Sequence, residues 1–222
     1  MLGLVVFDCD GTLVDSQHGI IAAVQESFDG HGLPVPPQES IRRIVGLSVP
    51  EALAELLGEA GVGADVHALA DSFKQSFLAR RQREGDRFEP LFPGVRDVLA
   101  KLEEMELAMA VATGKSQRGA RATLATHGID HHFLSIQTAD THPSKPHPAM
   151  LEAAIADCGA EPACSIIVGD TSYDMRMGVA AGVRRIGVGW GYHPPGELLA
   201  AGAETVLETP ESLADAVYVH RG

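Results

Sequence analysis

The sequence predicts an α/β fold, a doubly wound and mostly parallel sheet with an all-helical segment inserted early in the chain. Three observations carry that prediction. From about residue 92 onward, short uncharged apolar runs alternate with helical patterns, which is how parallel strands covered on both faces read. The first apolar run, Leu4-Val5-Val6-Phe7, stands apart from these, and no convincing strand follows it before residue 85. Three of the runs break off into polar residues at their C-terminal ends: Asp8-Cys9-Asp10, Thr113-Gly114 and Gly169-Asp170.

In chain order, Ser16 can cap a helix whose apolar face carries Ile20, Ile21, Val24 and Phe28. Leu33 to Pro37 is a proline-rich break. Ser40 to Val45 reads as a short helix, Pro50 to Leu57 as a second, and Ala64 to Arg83 as a long one with Val66, Leu69, Phe73, Phe77 and Leu78 at helical spacing. These stripes are packing faces, and the segment reads as a small helical bundle. After Phe92-Pro93-Gly94 come a helix over Val95–Glu104, a strand over Leu107–Ala112, a helix over Gln117–His127 and a strand over Phe133–Gln137. Ser144-Lys145-Pro146-His147-Pro148 is a loop opening a helix over Ala149–Cys158. Ser165–Val168 is a strand, Asp174–Ala181 a helix closed by Gly182, and Arg185–Val188 a strand. Pro195–Ala201 is a helix, Glu204–Leu207 an edge strand and Glu211–Val217 a last helix.

The 222 residues suffice for one sizeable core, or a core plus a small second unit. Hydrophobic residues make up 45 %, which places the chain among globular proteins. A formal net charge of −13 with no basic patch argues against a nucleic-acid partner and against an anionic membrane surface. Cys9, Cys158 and Cys164 have no metal-like spacing and read as reduced thiols. No apolar stretch approaches the ~20 residues of a membrane span. The expectation is a soluble, cytoplasmic protein, monomer or homodimer.

Neighbouring parallel strands bring their C-terminal ends together, where ligands sit in open α/β sheets. Asp8, Asp10, Asp170 and Asp174 would then face Lys145 and Thr113. So many carboxylates cannot all stay ionised without a partner, and a hard divalent cation such as Mg²⁺ is the natural one. Each cluster also has a plainer reading. Asp10-Gly11 is a possible hairpin turn, Thr113 a helix cap, Lys145 a solvated charge, Gly169-Asp170 a turn and Asp174 a helix cap. Thr113-Gly114-Lys115-Ser116 is not the end of a phosphate-binding P-loop, because Met109 stands where that pattern needs glycine. The order of the clusters and their shared strand-end position favour the joint reading.

Taken together, Asp8-Cys9-Asp10-Gly11-Thr12-Leu13-Val14-Asp15, Thr113-Gly114, Lys145-Pro146 and Gly169-Asp170-Thr171-Ser172-Tyr173-Asp174 resemble the four ordered motifs of the haloacid dehalogenase superfamily, its phosphoglycolate-phosphatase-like branch most closely. The resemblance implies a Rossmann-like catalytic core over 1–14 and 86–222 and a helical cap over 15–85, with hinges near Val14-Asp15 and Gly85-Asp86. It implies Asp8 as nucleophile, Asp10 as general acid and base, and Thr113, Gly114 and Lys145 as holders of the phosphoryl oxygens. Mg²⁺ would be held by Asp8, the Asp10 carbonyl and Asp170, with Asp174 acting through water or as support. Arg42 is the cap residue placed to meet a distal anion of the substrate, with Arg43 beside it and a surface charge the even alternative for either. His18 reads as a surface helical residue, and His127, His131, His132 and His142 as surface histidines. Lys74, the one lysine of the cap, lies away from the first cap helix, which argues against the Schiff-base branch of the superfamily.

The activity expected is hydrolysis of a small phosphorylated metabolite through an aspartyl-phosphate, 2-phosphoglycolate being the first candidate. Other sugar phosphates, nucleotides or pyrophosphate are same-class alternatives, and a sugar-phosphate mutase is another. An inactive, cap-bearing binding protein is the non-enzymatic alternative, and it would require a defect in the catalytic set that the sequence does not show.

Overall fold

The computed structural model of the chain describes residues 3–58 and 63–218, so positions 1–2, 59–62 and 219–222 of the segments expected above lie outside the described residues. Six strands form one parallel sheet: β1 (Leu4–Phe7), β2 (Ala108–Thr113), β3 (Ser135–Thr138), β4 (Ser165–Gly169), β5 (Arg184–Val188) and β6 (Thr205–Leu207). Their order is β3-β2-β1-β4-β5-β6, so β1 is central and the winding reverses at its edge. Leu4 to Phe7 pair with Ala108 to Val111 on one side and Ser165 to Val168 on the other.

Both faces of the sheet are covered, which is why the strands read as unbroken apolar runs. Side chains alternate across a strand. Val5 and Phe7 therefore pack on one face against Val98, Leu99 and Leu102 of α5 (Val95–Glu104). Leu4 and Val6 pack on the other against Met150, Leu151 and Ile155 of α7 (Ala149–Asp157) and Met177 of α8 (Ser172–Ala181). All four β1 residues are buried, and burying an aliphatic side chain fully is worth ~1.5–3 kcal/mol. The remaining core helices are α6 (Gln117–Thr126), α9 (Pro195–Ala200) and α10 (Leu213–Tyr218).

Most boundaries shift by a residue or two from the sequence reading, and two of the shifts have a clear structural cause. The strand expected from Phe133 starts at Ser135, because Asp130–His132 forms a single tight turn that drops Ile129 and Phe133 into the core. The helix expected from Asp174 starts at Ser172. Thr171 is its N-cap, and Asp174 completes a capping box with it rather than opening the helix.

Between β1 and α5 the chain forms α1 (Gln17–Gly30), α2 (Gln38–Arg43), α3 (Val49–Leu57) and α4 (Val66–Glu84). This helical insert has its own apolar cluster, with Ile20, Ile21, Val24 and Phe28 of α1 packed among Ile41, Leu53, Leu69 and Phe73. The chain leaves and re-enters the sheet unit side by side. The Asp15 amide donates to the Pro90 carbonyl at 2.8 Å, and the Phe92 amide to the Leu13 carbonyl at 3.1 Å. Among the described residues no helix is long and apolar enough to cross a membrane.

Candidate active site

The strand order reverses between β1 and β4, and the polar clusters lie beyond the carboxyl ends of these strands, at the switch point where ligands bind in such sheets. After Phe7 the chain does not continue into a return strand. The amides of Leu13 and Val14 both donate to the Cys9 carbonyl, and the Gly11 amide donates to the Val14 carbonyl, which folds residues 9–14 into a tight loop. Gly11 is required there: its φ is +84°, and a Cβ would lie 2.1 Å from Asp170 Oδ2.

Asp8, Lys145, Asp170 and Asp174 are brought together and buried. The Lys145 ammonium stands 2.8 Å from Asp8 Oδ1 and 2.7 Å from Asp174 Oδ1. The other Asp174 oxygen accepts from the Thr171 amide at 3.0 Å and the Thr171 hydroxyl at 2.7 Å. Asp170 accepts from the Thr12 hydroxyl at 3.1 Å and the Tyr192 amide at 2.9 Å. Burial, and then the Asp174 charge, overcome Lys145 and push the Asp8 carboxyl up to about 7. Burial and the neighbouring Asp8 and Asp174 raise Asp170 well above the carboxylate range. Burial works against the Lys145 charge, but Asp174 and Asp8 outweigh it and hold the ammonium above the ordinary lysine value.

A divalent cation fits this set. Asp8, Asp170 and Asp174 offer carboxylate oxygens within 4.8 Å of one another. Three carboxylates less one ammonium leave a formal charge of −2, which a divalent ion cancels. Asp8 Oδ2 is buried with no hydrogen-bond partner among the described residues, and a buried oxygen of this kind calls for a ligand. The Asp10 side chain is not part of the set, so a ligand from Asp10 would have to be its carbonyl. Asp174 Oδ2 is taken up by Thr171, whereas Oδ1 faces Lys145 at 2.7 Å with no hydrogen bond among the described residues, so Asp174 keeps one oxygen for the ion or for a water on it.

Asp10 belongs to a second buried cluster. Its Oδ1 accepts from the Ser16 hydroxyl and stands 2.9 Å from Lys115 Nζ. Lys115 Nζ is also 2.5 Å from Glu89 Oε1, and Glu89 Oε2 is 3.5 Å from Arg81 of α4 and accepts from the Thr123 hydroxyl at 3.1 Å. Burial works against the Glu89 charge, but Lys115 and Arg81 outweigh it and hold the carboxyl low. Apart from Asp10, the members of this cluster escaped the sequence reading as site residues. Ser16 was expected to cap α1, yet its hydroxyl turns to Asp10 and makes no cap bond. Lys115 figured only in a rejected P-loop, and Glu89 not at all. The one available signal was the presence of a carboxylate between Phe88 and Pro90, in a stretch that is otherwise apolar through Phe92.

Thr113 is fully buried at the end of β2, in register with Thr138, and its hydroxyl accepts from the Lys115 amide at 3.2 Å. Gly114 faces the insert: a Cβ there would lie 2.4 Å from the Leu47 carbonyl oxygen and 2.7 Å from that of Gly46. The insert is therefore seated on the strand ends. Further contacts hold it there. The Ser48 amide donates to the Ser144 hydroxyl at 2.8 Å, and His193 Nε2 bonds the Arg43 carbonyl at 3.1 Å. Burial lowers the His193 pKa and favours the neutral ring.

Arg42 donates from Nε to Gln17 Oε1 at 3.1 Å, and Gln17 in turn bonds Asp15. Arg43 pairs with Glu197 at 3.0 Å on the surface. His18 and His131 are exposed, whereas the other three histidines are not simply surface residues. His127 is half-buried and bonds the Glu89 carbonyl at 2.7 Å, His142 bonds Gln137, and His132 lies 2.9 Å from Glu103.

A family model described as haloacid dehalogenase-like hydrolase matches residues 5–188, and the chain belongs to that family of enzymes. The chain is 34% identical over 224 residues to a protein named probable phosphatase IndB from Dickeya dadantii, covering 98% of this chain and 94% of that one. It is 35% identical over 195 residues to a phosphoglycolate phosphatase of Pseudomonas syringae pv. syringae, covering 86% and 70%. It is also 34% identical over 190 residues to a protein named tyrosine-protein kinase PtkA of Mycobacterium tuberculosis, covering 85% of this chain and 62% of that one.

Proposed function

We propose that the protein is a Mg²⁺-dependent phosphatase that hydrolyses a small phosphomonoester through an aspartyl-phosphate at Asp8, with 2-phosphoglycolate the first candidate substrate. The observation that carries the reading is the Asp8 carboxylate, buried at the switch point with Lys145 on one oxygen and, among the described residues, no partner on the other. A fixed carboxylate with one open oxygen is what an attacking group needs.

In this reading Asp8 attacks phosphorus and the P–O bond to the leaving group breaks, while Asp10 gives that oxygen its proton. Asp10 then takes a proton from water, the water oxygen attacks phosphorus, and the Asp8 carboxylate is regenerated as phosphate leaves. Lys145 keeps Asp8 oriented and, with Thr113 and the backbone around Gly114, holds phosphoryl oxygens. Asp8, the Asp10 carbonyl and Asp170 would hold Mg²⁺, with Asp174 supporting them. When bound, the ion supplies charge stabilisation on the transferring group. The helical insert acts as the cap that covers the cleft and keeps the acceptor small. Arg42, held by Gln17 at the entrance to the loop carrying Asp10, is the candidate for a distal anion.

The test is phosphate release from a panel of phosphomonoesters that includes 2-phosphoglycolate, run with Mg²⁺, with chelator, and with Asp8→Asn. Release should need both the ion and Asp8, with a loss of at least about 10⁴-fold in the variant. Release that survives Asp8→Asn overturns the mechanism. Labelling of a tyrosine-containing protein from ATP, with no ester hydrolysed, overturns the activity.

A further inference from the structure

We propose that Lys115 is a positioning residue for the general acid Asp10, in a setting that the helical insert completes. The inference rests on the reading of Asp10 given above. A lysine two residues beyond the end of a strand at the mouth of a phosphate site invites assignment to the phosphate. The geometry points elsewhere. Its Nζ lies 2.9 Å from Asp10 Oδ1 and 2.5 Å from Glu89 Oε1, and its side chain is 9% exposed. Once Asp10 has given up its proton, Asp10 and Glu89 bring two negative charges against the two positive ones of Lys115 and Arg81. The cluster is balanced, so Lys115 has no charge to spare for an incoming anion.

Two donors, Ser16 and Lys115, converge on one oxygen of Asp10. With Oδ1 tied down, proton exchange with the leaving group and with water falls to Oδ2, and the carboxyl is fixed about its own axis. Lys115 itself neither gains nor loses a proton in the cycle. Its own position is set from three directions. Glu89 holds the ammonium from the chain re-entering the sheet unit, and the Thr113 hydroxyl accepts from the Lys115 amide. The insert supplies the third: the Phe77 ring of α4 lies 5.3 Å below the ammonium, and Arg81, one turn further on, reaches Glu89. Moving α4 away would open this cluster to water, so the acid is fully positioned only when the insert is seated.

The test uses leaving groups. p-Nitrophenolate departs without protonation, whereas an alkoxide such as that of glycerol 2-phosphate does not. Lys115→Met should lower kcat on the alkyl ester by about 10²-fold, the lower end of what general acid catalysis contributes, change its KM little, and cost less than about tenfold on p-nitrophenyl phosphate. In an Asp10→Asn background the same substitution should add almost nothing on either ester. Lys115→Met with Glu89→Gln removes one charge of each sign; it guards against misfolding and should keep the same leaving-group pattern. Equal losses on both esters, a rise in KM at constant kcat, or full additivity with Asp10→Asn would each overturn the proposal. If the wild-type protein hydrolyses no ester of the panel named above, these two included, the phosphatase reading itself fails and takes this inference with it.

Discussion

The site contains two buried lysines, and they sit in opposite electrical situations. Lys145 faces three carboxylates alone, and its cluster is left at a formal −2 once all three are ionised. Lys115 shares two carboxylates with Arg81, and its cluster comes to zero. Both lie within reach of the loop that follows β1. Buried charge is costly unless paired, so a deficit and a balance mean different things. The deficit marks a place built to receive a cation. The balance marks a support that is complete without one.

The comparison is most exposed to attack at Lys145. Lys145→Met turns −2 into −3, leaves Asp8 and Asp174 without their ammonium, and should destabilise the metal-free protein by ~3–5 kcal/mol in urea unfolding, as for a broken buried pair. Activity should fall by at least about 10²-fold, the cost of losing one donor to the transferring group. A variant with wild-type stability would mean that the deficit is not felt by the fold.

Next in size is the response to the ion. Mg²⁺ at a hundredfold excess over its Kd should stabilise the wild-type protein by about 2.7 kcal/mol, read as an upward shift in melting temperature of several degrees. Asp170→Asn should remove most of that shift, whereas Lys115→Met should leave it in place. A shift of equal size in the wild-type and Asp170→Asn proteins would separate the ion from this cluster.

Arg81→Gln breaks the balanced cluster at its partly exposed edge. The expected cost is about 1–2 kcal/mol in thermal or urea unfolding, less than for a fully buried pair, with kcat on alkyl esters lowered more than on aryl ones. The exposed Arg43–Glu197 pair is the control. Arg43→Ala should leave stability within error of wild type and abolish no activity, since such pairs are screened.

Much of the Lys145 cluster was legible because Asp8 and Asp170 sit directly after apolar strands and Lys145 on the loop that follows one. β1 runs straight into Asp8, β4 into Asp170, and the parallel pairing does the rest. The Lys115 cluster was not legible in the same way. Its partners come from a helix of the insert, from the re-entry segment at Glu89 and from the turn after β2, and no periodicity links Arg81, Glu89 and Lys115. Tyr192 is a more extreme case: its hydroxyl accepts from the Ser16 amide at 2.9 Å across 176 positions of sequence. Asp174 failed at finer scale. A helix start was read correctly, but its third residue was taken for its first, because Thr171 and Asp174 both have cap chemistry and only the backbone decides between them.

Gly114 has a consequence of a different kind. Leu47 and Gly46 rest their carbonyl oxygens where its side chain would be. A single methyl group at this position is a doorstop: it would meet main chain, which cannot rotate out of the way, and hold the insert ajar by the width of an atom. Gly114→Ala should therefore yield a folded protein in which Arg81 and Phe77 can no longer reach their places over Glu89 and Lys115. Such a protein would offer a way to populate the open arrangement, for scattering or crystallisation, without altering any charged side chain of the site.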